Sequence, residues 1–152
     1  MLRIVCSAII VGAVVSSAAS AQERIELNFI YPLNQETFQL NDGVYFTQDN
    51  LGYSEVVEGP LEGGAVRCMG SGFAGGGVNS VEGICIIGEG ENTFTIRWAP
   101  GDMGLSNDWS VVAGTGTFDG ASGEGVATSG AEILFRAMPL RQTHLVGTIT
   151  LP

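Results

Sequence analysis

Glycine breaks this chain into short stretches of β pattern, and that punctuation limits its fold more than any other feature. Twenty-three of the 152 residues are glycine, about twice the usual share of roughly 7%. Such density works against helix, where each interior glycine costs about 1 kcal/mol relative to alanine. Between the glycines lie alternating or β-branched runs. Thr93 to Ala99 is the clearest: Phe94, Ile96 and Trp98 share one face, and Thr93, Thr95 and Arg97 the other. Ile25 to Tyr31 alternates in the same way until Pro32. Val44 to Thr47 follows the turn signal Asn41-Asp42-Gly43, and Leu51 to Val57 is a weaker run. Ala65 to Met69, Val81 to Ile87 and Trp109 to Ala113 add three more. Gly70 to Gly77 reads as a loop or a bulged strand. Gly88 to Asn92 reads as a hairpin turn, and Pro100-Gly101-Asp102 as a strand stop. Gly114 to Gly130 holds short β pieces. Glu132 to Met138 and His144 to Leu151 are the last two strands, divided by Pro139. Glu36 to Leu40 fits one helical turn. The sum is about eight strands in an all-β chain. Eight antiparallel strands that close into a barrel remove their own exposed edges. A β-sandwich is the alternative architecture.

The amino-terminal segment reads differently. Arg3 precedes the apolar run Ile4 to Val15, and Ala19-Ser20-Ala21 is a small-x-small site. That is the pattern of a secretory signal peptide cut after Ala21. The run is too short for a membrane span, which needs about 20 apolar residues. Residues 22–152 are then one domain. Cys6 leaves with the leader, and Cys68 and Cys85 remain. An even cysteine pair in an exported protein reads as a disulfide. Its 17-residue separation corresponds to roughly 3 kcal/mol of chain-entropy stabilisation.

Charge removes several functional classes. The formal net charge is −10, and every basic residue is arginine. Without Arg3, five arginines face 16 carboxylates, for a net charge of −11. A chain this acidic, with no basic run, is a poor binder of nucleic acid or anionic lipid.

One segment carries a family resemblance. Trp109 leads into Gly114-Thr115-Gly116-Thr117-Phe118-Asp119-Gly120-Ala121-Ser122-Gly123. This resembles the signature of the allene oxide cyclase-like superfamily, which includes plant dirigent proteins. The stretch Gly83-Ile84-Cys85, an acidic turn, Phe94 to Trp98 and a glycine-bearing link to Trp109 is similar to exported bacterial relatives of that barrel, mostly of unknown function. The resemblance spans roughly Cys68 to Leu151; residues 22–65 match nothing recognisable. It implies a calycin-like eight-stranded barrel, and self-association, because members often form trimers. The cyclases are isomerases with a hydrophobic lumen, and they set a Glu and an Asn two apart on the first strand. Glu26 and Asn28 have that spacing here, and period-2 geometry puts them on one face. A solvent-facing polar stripe has the same spacing.

Other chemistry is thinner. His144 is the only histidine, and no nucleophile elbow accompanies it. Gly114-Thr115-Gly116 precedes no helix, so it lacks the dipole of a phosphate loop. Glu89, Glu91 and Asn92 are too few for a calcium loop. No metal site and no cofactor is expected. Arg97 and Arg136 read as partners of Glu132 or Glu26, or as cations for a carboxylate ligand in the lumen. Trp98 and Trp109 read as core, or as aromatics that hold a ligand at the barrel mouth. The first functional reading is therefore a non-enzymatic exported barrel that binds a small apolar ligand through Arg97, Trp98, Trp109 and Arg136, or a protein partner. It loses its site if Phe94, Ile96, Trp98 and Phe118 fill the lumen. An isomerase using Glu26 and Asn28 is the second. The third is a periplasmic inhibitor or interaction protein, which would present residues 22–40 as an exposed apolar edge or an amino-terminal arm.

Overall fold

The computed structural model describes residues 21–101 and 106–152. The leader reading and Cys6 therefore lie outside the described residues, Ala21 excepted, as does Asp102 of the expected strand stop. Among the described residues nine strands form: β1 (Gln22–Pro32), β2 (Gln35–Gln39), β3 (Gly43–Glu58), β4 (Gly64–Gly75), β5 (Val78–Glu89), β6 (Asn92–Pro100), β7 (Ser106–Gly114), β8 (Ser122–Phe135) and β9 (Met138–Thr150). A 3-10 turn, Gly116–Phe118, sits between β7 and β8. Strands β3 to β9 form an antiparallel meander. β1 closes it, pairing with β9 from Gln22↔Thr150 to Pro32↔Leu140 and with β3 from Glu26↔Glu58 to Ile30↔Tyr53. The ring is the expected eight-stranded barrel, one closed sheet rather than the two of a sandwich.

β2 is the ninth strand, and it pairs only with β3. It continues the line of β1 along β3 after a break at Leu33 and Asn34. The break is pinned by Asn50, which is fully buried and whose Oδ1 accepts the Asn34 N–H at 2.7 Å. The Asp49 N–H returns a bond to the Asn34 carbonyl at 3.0 Å. The helical turn expected at Glu36 to Leu40 is thus a strand, because Gln35 to Gln39 find ladder partners on β3. Residues 22–40 are not a free arm, because β1 completes the ring; of the two forms expected there, an edge remains, the outer side of β2 with Phe38 exposed on it.

Three further boundaries differ from the sequence reading. Val44–Thr47 and Leu51–Val57 are one strand, β3. Of the loop and the strand that Gly70 to Gly77 allowed, the strand forms as far as Gly75 and completes β4. Glu132 to Met138 is not one strand; it bends at Arg136-Ala137 into the β8–β9 hairpin. Pro139 does not end a strand. It is opposite Leu134, next to the closing pair Phe135↔Met138, and lies beyond the last β1 partner of β9, Leu140. Its missing N–H would have pointed to an open edge, where proline is tolerated.

Alternation sorts the side chains. Ile25, Leu27, Phe29 and Tyr31 of β1 point into the barrel and are buried. Val66 and Cys68, Cys85 and Ile87, Phe94 and Ile96, Trp109, Leu145 and Ile149 do the same on their strands. Phe118 packs against Phe94, with ring centroids 5.2 Å apart, and plugs the lower end. The upper end carries the β2–β3, β4–β5, β6–β7 and β8–β9 connections.

Candidate functional site

A cavity of about 180 Å³ opens at the upper mouth. Its floor is apolar: Phe29 from β1, Ile96 from β6, Leu145 from β9 and the Cys68–Cys85 pair. These cysteines are direct cross-strand partners on β4 and β5, and they form a disulfide. Trp98 and Phe46 extend the apolar wall. Polar groups gather higher up. Tyr31 Oη and Thr143 Oγ1 are 2.8 Å apart and share a hydrogen bond. Gln35, Gln48, Asn107, Ser129 and Arg141 line the rim. An apolar floor beneath a few converging polar groups is the usual anatomy of a small-molecule site.

A second cavity, of about 520 Å³, lies at the lower end between the Pro60–Gly64 link and the 3-10 turn. It is larger, and Leu61, Ile87, Phe94, Phe118 and Leu151 form its apolar side. Its polar lining includes the carboxylates of Glu62 and Glu89. The upper cavity is inside the ring and receives inward side chains from nearly every strand, so it is the stronger site.

The sequence-derived candidates are distributed unevenly around these cavities. Trp98 lines the upper one; Trp109 does not, and it is buried with its Nε1 unpartnered. Phe94 and Phe118 pack on each other and line the lower cavity, while Ile96 and Trp98 line the upper one, so the four do not fill the lumen. Glu26 and Asn28 do share a face, but it is the outer one, because Ile25, Leu27 and Phe29 take the inner positions. There Asn28 Nδ2 donates to Glu55 at 3.1 Å, and Asn28 Oδ1 accepts from His144 Nδ1 at 3.0 Å. Glu26 meets Arg24 at 3.3 Å and His144 Nε2 at 3.5 Å. The pocket-facing Glu and Asn that the cyclase resemblance implies are therefore not formed by this pair. Arg97 points outward and pairs with Glu82 at 2.5 Å, not with Glu132 or Glu26. Arg136 sits at the tip of the β8–β9 hairpin, its guanidinium 5.6 Å from the Phe135 ring centroid. At the acidic turn, Asn92 Oδ1 accepts the Thr117 N–H and the Glu91 carbonyl accepts the Thr115 hydroxyl, so these oxygens are engaged by the chain itself.

Arg141 was hidden from the sequence reading. That reading started the last strand at His144, after Pro139, whereas β9 begins at Met138. Extending the alternation back from Leu145 through Thr143 reaches Arg141 on the inner face.

No family profile matches the chain, and no curated protein matches it. Among the described residues, no helix is long and apolar enough to cross a membrane. Among solved structures, the chain is similar to a pterocarpan synthase dirigent protein, at 12% sequence identity and a TM-score of 0.50. The match covers 96% of this chain and 100% of that one. At that identity the likeness concerns architecture: the chain has a dirigent-like β-barrel fold.

Proposed function

We propose that this protein is an exported binding module whose barrel holds one small, mainly apolar molecule at its upper mouth. The carrying observation is the 180 Å³ cavity, with the Phe29, Ile96 and Leu145 floor below a polar rim. An engineered cavity of about 150 Å³ accepts benzene, so one ring is the right scale. The Cys68–Cys85 disulfide and the leader pattern of residues 1–21 support export. The isomerase reading has less support, since Glu26 and Asn28 lie outside the lumen.

The test is native mass spectrometry of the protein purified from its own host, followed by calorimetry with one-ring compounds. A single bound molecule, lost when Ala127→Leu fills the cavity, is the expected result; Ala127 lines the site and is buried. Absence of any binding, or binding untouched by that substitution in a folded variant, overturns the reading.

A protein partner is the second reading. Ile133, Leu134, Phe135 and Met138 of the projecting β8–β9 hairpin are all exposed, which is unusual clustering for apolar side chains.

A further inference from the structure

We infer that the molecule held in the upper lumen carries one negative charge, as a small aromatic carboxylate does, and that Arg141 receives it. This rests on the binding reading above and names the ligand class for that site. Five arginines fall within the described residues. Arg24 pairs with Glu26 and Glu58, Arg67 with Asp49, and Arg97 with Glu82. Arg136 covers the Phe135 ring. Arg141 differs from all of them. It is half-buried on the inner face of β9, lines the cavity, and its guanidinium has neither an ion pair nor a side-chain hydrogen bond among the described residues. In a chain with 16 carboxylates and six basic residues, an unpaired cation is conspicuous.

The nearest acid in register is Glu132, the cross-strand partner of Arg141, yet no ion pair joins them. Glu132 shares the Arg141 face as its cross-strand partner, but it is exposed and is not among the residues that line the cavity. A planar guanidinium presents a fork of N–H donors that matches a carboxylate bidentately, and such charge-assisted bonds are about twice as strong as neutral ones. A second donor is close by. Thr143 follows Arg141 on the same face, and it shares one hydrogen bond with Tyr31. One hydroxyl of that pair donates to the other, so the accepting hydroxyl keeps its own proton to give. Arg141 and this hydroxyl pair form a polar ledge above an apolar floor sized for one ring. A benzoate-like anion would set its ring on the floor and its carboxylate on the ledge.

Calorimetry with benzoate, benzyl alcohol and toluene tests this on the wild-type protein, on Arg141→Gln and on Glu132→Gln. The expected result is benzoate binding at least about tenfold tighter than benzyl alcohol, in line with one charge-assisted pair. Arg141→Gln should abolish that preference, weakening benzoate about tenfold more than toluene. Glu132→Gln, which removes the neighbouring carboxylate, should strengthen benzoate alone. Equal binding of benzoate and benzyl alcohol, or a preference that survives Arg141→Gln, overturns the anion assignment while the lumen remains a binding site. Failure of all three compounds to bind overturns the binding reading as well.

Discussion

Trp98 and Trp109 are direct cross-strand partners, yet their indoles reach in opposite directions, each over a pair of glycines. Trp98 lies on Gly70 and Gly83, which face each other across β4 and β5. Trp109 lies on Gly125 and Gly147, which face each other across β8 and β9. The six residues form one continuous row through the sheet, because Gly83 pairs with Trp98 and Trp109 with Gly125. The indoles need that space: a methyl on any of the four glycines would collide with a tryptophan ring. This row accounts for part of the glycine excess, and it fixes the large rings that give the barrel its middle layer.

The first prediction concerns these glycines. Gly83→Ala would drive its methyl against both the Trp98 ring and the Met69 carbonyl oxygen, and the backbone contact cannot move aside. A loss of about 1–3 kcal/mol is expected, the usual cost of overpacking. Gly64→Ala is the contrast. Its nearest neighbours would be at 3.7 Å or more, and its φ is not positive. It should be neutral, or gain up to about 1 kcal/mol from a stiffer unfolded chain. Urea denaturation of the two variants decides it; equal losses would remove the steric account.

The disulfide carries the second prediction. Cys68 and Cys85 tie β4 to β5 under the cavity floor. Cys68→Ser with Cys85→Ser should cost about 2–4 kcal/mol, and reductant should lower the melting temperature of the wild type but not of the double variant. The unreduced mass should be two hydrogens short. A full-mass unreduced protein would show that the bond does not form.

The strands with clean alternation, β1 and β6, and the cysteine pairing are visible in the residues themselves. So is the outward direction of Glu26 and Asn28, once Ile25, Leu27, Phe29 and Tyr31 are taken as the inner set. The glycine half of β4 is not readable, because the reason for Gly70 is a tryptophan 28 positions further along the chain. The Arg141 ledge is not readable either. It depends on a hairpin turn without the Asn-Gly or Asp-Gly signature, so Pro139 looks like a strand end.

A third prediction follows from the outer face. Arg67 grips Asp49 through two bonds, Nε to Oδ1 at 2.8 Å and Nη2 to Oδ2 at 2.6 Å. These hydrogen bonds hold the Asp49 carboxyl below the ordinary aspartate range; slight desolvation opposes them and the Arg67 charge adds to them. A carboxyl with a lowered folded-state midpoint stabilises the fold at pH values above its unfolded midpoint. That contribution is lost as pH falls through the lowered value. The pair is exposed, so the effect on stability is small and weakens with salt. Carbon-detected NMR titration should find the Asp49 midpoint depressed, and Arg67→Gln should return it to the ordinary range. A midpoint unmoved by that substitution would show that the fork does not persist in solution.

The hairpin tip gives the last prediction. Arg136 and Ala137 link Phe135 to Met138, and both have positive φ, 49° and 65°. Two left-handed residues make the mirror-image turn that matches strand twist, which normally selects Asn-Gly or Asp-Gly. The left-handed region costs a residue with a Cβ roughly 1–2 kcal/mol. Ala137→Gly removes that cost at one position and should raise stability by up to about 1 kcal/mol, after the extra unfolded-state entropy of glycine is subtracted. Arg136→Asn with Ala137→Gly should raise it further, and should leave benzoate binding unchanged, because Arg136 lies outside the cavity that Arg141 lines. A loss of stability in Ala137→Gly would mean that residue 137 does not hold a left-handed conformation in solution. A loss of benzoate affinity in the double variant would move the anion-receiving group from Arg141 to the hairpin tip.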